Sequence, residues 1–492
     1  MNQVERIDEI LVNLFNVVLK MEEKALNGSG KHNLSMTEMH TLAAIGGEHM
    51  AVGSAERSKT MSQVAAILKI SVSTLTTAVS HLVKKGYVER FRTPEDKRIV
   101  KVRLTQAGRA AVAEHEEYHA KLINEAVSML SPEEIDTFVR SLESINEFVS
   151  MQRIPPVRDV NDYKLAPLRI RDIVIPVPIF QGGMGVGVSL GGLAGEVARE
   201  GGVGCVAATE CGYGDPEYAK RPVRSNLRAL KAEVQKALRI SAVGTPGPVA
   251  VNIPYTMDHY SEYVEAAIEA GARIIISGAG IPTSLPGIVG DRHIALIPII
   301  SSPRGARVII KNWQKKHGRT PDAFIFEGPY AGGTLGYKTE KIDRAREDFY
   351  ANLVEVKEEI SQLGNCPLIV GGGIYTRDDA KKAFAYGADG IQIGTRFVTT
   401  EECDADEAFK QAYIAAGESD IALVAVPGEK PCWAIRNDYV RSLENGGTPL
   451  SVTEAALRTA RGDMDNGLIL CGRNCWKANK IEKVSDIFRD FI

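Results

Sequence analysis

The sequence predicts two folds in one chain, an α+β winged helix-turn-helix followed by an α/β (β/α)8 barrel. Three observations lead there. At 492 residues the chain is too long for one hydrophobic core. Basic residues cluster early: from Arg57 to Arg109, twelve Lys or Arg face three acids, Glu89, Glu95 and Asp96, although the formal net charge of the whole chain is −3. Beyond residue 168, short apolar runs alternate eight times with stretches that mostly read as helical, and most runs end in Gly, Asn, Ser or Glu.

Residues 1–150 read as a small helical domain. Ile7, Ile10, Leu11, Leu14 and Val18 recur at helical spacing and make a long amphipathic first helix. Ser35-x-x-Glu38 is a capping box that opens a second helix carrying Met39, Leu42 and Ile45. A short helix over 61–68, the turn Ile70-Ser71 and a helix from about 72 to 85 closed by Gly86 form a helix-turn-helix. Its second helix is expected to bury Leu75, Val79, Leu82 and Val83. Ser71, Ser73, Thr74, Thr76 and Thr77 are left to face outward, small hydroxyl side chains suited to a DNA major groove.

Two alternating runs, 87–91 and 99–104, flank the turn Thr93-Pro-Glu-Asp-Lys-Arg98 and read as a winged hairpin. Arg92, Lys97 and Arg98 make it basic, and Asp96 beside Arg98 suggests an ion pair that aims the arginine at a minor groove. The first helix and the one opened by Ser131-Pro-Glu-Glu134 carry apolar faces too large for so small a domain, which predicts a homodimer. Residues 151–168 contain Pro155, Pro156 and Pro167 without periodicity and read as a tether.

The barrel, 169–492, is expected to use strands at 177–180, 203–207, 249–253, 273–276, 295–300, 323–326, 368–370 and 390–393, with the segment after Thr400 folded over the mouth. Cys432 and Trp433 are candidates for a wall of the pocket there, and a buried core role is the other reading. Chemistry in such a barrel gathers at the C-terminal strand ends. Here these are mostly glycine, with Asn252, Glu327 and Gln392 as polar exceptions, so the site reads as the holder of a flat cofactor. Pro367-Leu-Ile-Val-Gly-Gly-Gly-Ile374 and Ala388-Asp-Gly-Ile-Gln-Ile-Gly-Thr-Arg-Phe397 are two successive strands running into glycines. Amides of Gly372, Gly373, Gly394 and Thr395 are thereby offered to one phosphate.

Seven cysteines without Cys-x-x-Cys spacing argue against a disulfide framework or a structural zinc, and no metal site is expected. No leader pattern and no apolar run of roughly 20 residues is evident, so a cytoplasmic protein without a membrane span is expected. At 44% hydrophobic and 25% charged, the bulk composition by itself implies no nucleic-acid binding.

Asp96-Lys-Arg98 followed by Leu104-Thr-x-x-Gly108 resembles the wing and exit helix of the MarR family. Arg6-Ile-Asp-Glu-Ile-Leu-Val-Asn-Leu-Phe15 with Met36-x-Glu-Met-His40 is similar to its branch that represses fatty-acid synthesis genes. The connection 47–59 is longer than usual there. Phe180-Gln-Gly-Gly-Met184, Val251-Asn-Ile253, Gly278-Ala-Gly280, Glu327-Gly-Pro-Tyr-Ala-Gly-Gly333, Gly371-Gly-Gly-Ile374 and Gln392-Ile-Gly-Thr-Arg-Phe397 together resemble the nitronate monooxygenase family, whose barrel is of the TIM type and which includes flavin-dependent enoyl-acyl-carrier-protein reductases.

That resemblance implies a flavoprotein in which Gly183, Met184, Asn252, Glu327, Gly333, Gly372, Gly373, Gly394 and Thr395 line FMN. It also exposes a departure. The family usually reads Ala-Gly-Gly-His-x-Gly, and this chain has Thr334 at the histidine. A hydroxyl does not titrate near neutrality, so oxidation of a nitronate by O2, which needs no base, is the expected reaction. Tyr337 is a second catalytic candidate. The alternatives are an enoyl thioester reductase using NAD(P)H, and a transcription regulator whose barrel senses flavin or an acyl ligand without turnover.

Overall fold

The computed structural model describes residues 6, 34–46, 58–68, 72–92, 100–131, 133–142, 165–244, 246–364 and 366–492. The chain divides into two compact units, 1–144 and 145–492. The first predicted helix, the tip of the wing and residues 151–164 of the tether lie outside the described residues.

In the first unit, helices Met36–Gly46, Met61–Leu68 and Val72–Lys84 pack with a three-stranded antiparallel sheet of β1 (Lys59–Thr60), β2 (Val88–Arg92) and β3 (Val100–Leu104), ordered β1-β3-β2. The capping box is present: Ser35 N–H donates to Glu38 Oε2 at 2.8 Å and Glu38 N–H to Ser35 Oγ at 3.3 Å. Leu42, Val64, Leu75, Val79, Leu82 and Val102 are fully buried. Val83, expected in that stripe, is 39% exposed. One residue along a helix is a rotation of about 100°, so a helix that turns Leu82 to the core turns Val83 away from it. Thr105 caps the long helix Gln106–Val127 by accepting from Gly108 N–H at 3.1 Å, and a Cβ on Gly108 would stand 2.2 Å from Tyr87 O, so the exit turn tolerates only glycine there.

The second unit opens with the hairpin β4 (Leu168–Ile170) and β5 (Ile173–Ile175), so Leu168 begins the fold. Eight parallel strands follow: β6 (Ile179–Gln181), β7 (Gly204–Ala207), β8 (Val249–Asn252), β9 (Ile274–Ser277), β10 (Ala295–Ile300), β11 (Phe324–Glu327), β12 (Leu368–Gly371) and β13 (Gly390–Ile393). Their order, β6-β13-β12-β11-β10-β9-β8-β7, is closed by a parallel bridge between Phe180 and Val203. Every predicted strand is present, with each end within two residues.

Two apolar layers follow from the strand period of two. Phe180, Ala250, Ile274, Ile276, Ile297, Ile325 and Ile369 point inward and pack on the hairpin residues Ile170, Ile173 and Ile175. Their alternates, among them Val251, Ile275, Leu296, Phe326, Val370 and Ile393, face the surrounding helices. The same parity turns Asn252, Glu327, Gly371 and Gln392 inward at the opposite rim. Beyond the barrel, an antiparallel hairpin of β14 (Ile421–Val424) and β15 (Cys432–Ile435) and helices Asp438–Glu444 and Val452–Ala460 form a cap with apolar clusters of its own.

Candidate active site at the mouth of the barrel

A cavity of about 700 Å³ opens at the C-terminal strand ends, the face where barrels of this kind place their chemistry. Gly183, Met184, Asn252, Glu327, Gly333, Thr334, Gly372, Gly373, Gly394 and Thr395 all line it. The sequence-predicted cofactor residues are thus brought together, and Thr334 with them.

Glycine lets the loops close in. A Cβ on Gly183 would stand 2.3 Å from Asn252 Cβ, and one on Gly187 2.5 Å from the Tyr213 ring, so the loop after β6 lies flat against both. Gly372 and Gly373 adopt φ of 86° and 117°, a conformation open mainly to glycine. Among the described residues, no backbone hydrogen bond outside the helices and ladders uses the amides of Gly372, Gly373, Gly394 or Thr395. Three non-glycine residues on the rim, Val186, Glu210 and Ala279, also sit at positive φ, of 55°, 49° and 54°. Local strain of this kind gathers at binding sites.

Asn252, Glu327 and Gln392 face the cavity, and among the described residues their side chains have no hydrogen-bond partner. Gln392 is only 8% exposed, and its amide fills the space that a Cβ of Gly371 would need, 2.8 Å from Oε1. Gln392 is buried and Asn252 and Glu327 are half-buried; polar groups withdrawn from solvent are normally satisfied, so three on one wall mark a place built for a polar ligand. Dry surroundings alone push the Glu327 carboxyl up to about 7. Uncommitted amides at one side and these three side chains at the other fit a group with an anionic tail and a flat, polar-edged ring.

Tyr337 does not line the cavity. Its hydroxyl donates to Glu327 O at 2.8 Å, fixing the loop after β11, and burial together with the Glu327 carboxylate raises its pKa. Cys432 is fully buried, and Trp433, 8% exposed, donates from Nε1 to Pro329 O at 2.8 Å; both hold the cap to the barrel. Gln181, which ends β6, instead bonds across to Cys205 N–H and Cys205 O at 3.0 Å.

The cap supplies Phe409, Tyr413, Val452, Ala456 and Leu468 to the wall, and the loop after β7 supplies Glu210 and Tyr213. Sequence reasoning named none of these individually, because their strand and helix patterns are those of ordinary core. Asn474 Nδ2 donates to Gly373 O at 2.7 Å, and Gly472 lies against Thr395, where a Cβ would be 2.3 Å from Oγ1. Arg396, 8% exposed, pairs with Glu482 at 3.1 Å and with Asp490. The tail of the chain thereby secures the second glycine turn.

On the first unit, Thr77 is exposed and Thr76 half-buried on the second helix of the helix-turn-helix. Ser73 and Thr74 lie on the same helix, and Arg92 ends β2. Ser71, Lys97 and Arg98 lie outside the described residues. No helix among the described residues is long and apolar enough to cross a membrane.

Residues 168–491 match the family model for nitronate monooxygenase, and residues 54–100 match that of the MarR family. A probable nitronate monooxygenase of Staphylococcus saprophyticus is 24% identical over 290 residues, covering 55% of this chain and 78% of that protein. A 5-hydroxy-7a-methyl-1-oxo-octahydro-1H-indene-4-carboxyl-CoA dehydrogenase of Mycobacterium tuberculosis is 27% identical over 288 residues, 58% of this chain and 71% of that one. Among solved structures, FabK from Thermotoga maritima aligns with a TM-score of 0.50 at 25% identity, covering 64% of this chain and 91% of that one. A nitroalkane oxidase from Streptomyces ansochromogenes has the same fold, with a TM-score of 0.51 at 20% identity, covering 64% and 95%.

Proposed function

Because the chain belongs to the nitronate monooxygenase family over residues 168–491 and carries a MarR-type winged helix before it, we propose that it is an FMN-dependent oxidoreductase joined to a DNA-binding module. The observation that carries the enzymatic reading is one wall lined both by glycine turns with uncommitted amides and by three unpartnered polar side chains. Gly372, Gly373, Gly394 and Thr395 would hold the phosphate through backbone N–H groups. Asn252 and Gln392 would meet the polar edge of the isoalloxazine, with Gly183 and Met184 against its face and Glu327 lining the same wall beside it. When bound, FMN supplies the electron transfer that takes an alkyl nitronate and O2 to oxidised product. The chain's own groups position substrate and exclude water. Thr334, at the position of the family's histidine, offers a hydrogen bond and no base.

A second reading, reduction of an enoyl thioester with NAD(P)H, draws support from the extent of the cavity, which continues from the strand ends to Val452 and Ala456 of the cap and exceeds what a small nitro compound fills. The discriminating experiment is an absorption spectrum and FMN titration of the purified chain. Oxygen-electrode traces with an alkyl nitronate, and NAD(P)H oxidation with a crotonyl thioester, follow. Nitronate-dependent oxygen uptake supports the first reading, and a chain that takes up no FMN refutes both.

The first unit would read DNA through the outward hydroxyls of its second helix as a homodimer on half-sites about one helical turn apart. Ile123, Phe138, Val139 and Leu142 of its flanking helices are 43–57% exposed, an apolar surface that a second copy would cover. Size-exclusion mass and a DNA titration that weakens steeply with salt test this, and a monomer indifferent to DNA refutes it.

A further inference from the structure

The acid–base chemistry of the cavity does not end with the missing histidine. Among the described residues the wall carries no Lys, Arg or His, and its charged side chains are Glu210, Asp258, Glu327, Asp406 and Glu429. Apart from the amides of the glycine turns, a wall with that balance brings no positive charge to a substrate and favours a neutral one over a preformed nitronate. Four of the five acids are otherwise placed. Glu210 accepts from Tyr218 and from Asn226 Nδ2 at 2.8 Å, Asp406 caps Ala408 N–H at 2.8 Å, Glu429 accepts from Val452 N–H at 3.2 Å, and Asp258 lies on an exposed loop.

Glu327 remains. It ends β11 on the inward parity, faces the cavity and has no hydrogen-bond or ion-pair partner among the described residues. Its register partner on β12 is Gly371, and the end of β10, Ile299 and Ile300, brings no titratable side chain to it. Among the described residues, Tyr337 is the one titratable group shown to interact with it, and that hydroxyl is committed to Glu327 O.

We propose that Glu327 is the catalytic base of this cavity, taking the α-proton of a neutral nitroalkane so that the nitronate is formed in place. The α C–H bond breaks, its proton passes to a carboxylate oxygen of Glu327, and the electron pair moves into the nitro group. The carboxyl's preference for its protonated form suits it to the task at neutral pH, since a base works best when its pKa lies near the operating pH. This deepens the flavoenzyme reading and rests on it for what happens to the nitronate, whereas the proton transfer itself needs no redox partner.

The test is solvent-deuterium exchange at the α-carbon of nitroethane, followed by NMR on the full chain in anaerobic D2O. Wild type should exchange above the buffer rate, rising with pH through about 7. Glu327→Gln should lower exchange by about 100-fold or more, and Glu327→Asp should restore part of it. Infrared difference spectra of wild type against Glu327→Gln should show a carboxyl titrating near the same pH. In oxygen uptake, the ratio of nitroethane to preformed nitronate turnover should fall by a similar factor in Glu327→Gln. Exchange equal in wild type and both variants, wild-type exchange no faster than buffer, or an unchanged ratio overturns the proposal. A chain that takes up no FMN but exchanges the proton through Glu327 supports it while removing the flavoenzyme reading; a yellow chain that oxidises nitronate but exchanges equally as Glu327→Gln does the reverse.

Discussion

Replacing Glu327 by glutamine should stabilise the flavin-free barrel, and do so progressively as the pH rises. The carboxyl is displaced from 4.5 to about 7 by desolvation alone, which at about 1.4 kcal/mol per pK unit is a cost of about 3 kcal/mol for ionising it in the folded chain. The folded state holds this proton more tightly than the unfolded state. Stability is therefore lost as pH climbs from 4.5 through 7, and the loss is complete above that. Glutamine has nearly the same shape and does not titrate. Its advantage should be under about 1 kcal/mol at pH 5 and about 3 kcal/mol at pH 8. Urea unfolding followed by tryptophan fluorescence measures this cleanly, because Trp313, Trp433 and Trp476 all lie in the second unit and the first contributes no signal. Equal differences at pH 5 and pH 8 would refute the argument, since any steric or hydrogen-bonding effect of glutamine is independent of pH.

Two further substitutions probe the glycine turns and their support. Gly394→Ala should leave stability within about 0.5 kcal/mol of wild type, because a Cβ there meets only Met184 Sδ at 3.7 Å and φ is −115°. The added methyl should cost at least about tenfold in FMN affinity by fluorescence titration, about 1.4 kcal/mol, and undiminished affinity would remove Gly394 from the phosphate site. Arg396→Met should destabilise the barrel by about 3 kcal/mol in urea unfolding, because half-buried Glu482 then keeps only Lys480, at 3.7 Å, as an ion-pair partner among the described residues; a variant as stable as wild type would refute the bracing role.

Much of the barrel was legible because each strand is an apolar run that stops at a glycine or a polar residue, and because alternation decides which side chains enter the lumen. Asn252, Glu327 and Gln392 could be selected on those grounds, and the cavity contains them. Less legible were contacts that join distant segments. Nothing near Tyr337 in sequence announces that its hydroxyl is taken by a backbone carbonyl ten residues away, and Trp433 carries no local sign of its bond to Pro329. Glu210 and Tyr213 follow a strand like any other, and only the positive φ of Glu210 and the fit of Tyr213 against Gly187 bring them to the wall. The acidity of Glu327 is a property of its surroundings, which no reading of its neighbours in sequence supplies. In the winged helix, Val83 shows the opposite limit: an apolar residue at a reasonable spacing was turned outward by its neighbour's claim on the core.

The bonds from Asn474 to Gly373, and from Arg396 to Glu482 and Asp490, set an order of events during biosynthesis. A ribosome must deliver residue 490 before the second glycine turn has its full support, so that turn waits on chain made 94 codons after Arg396. The winged helix, translated hundreds of codons earlier, is free to mature first, as N-terminal domains generally do. Loss of residues 474–490 would then leave the winged helix intact and the glycine turns of the barrel poorly braced.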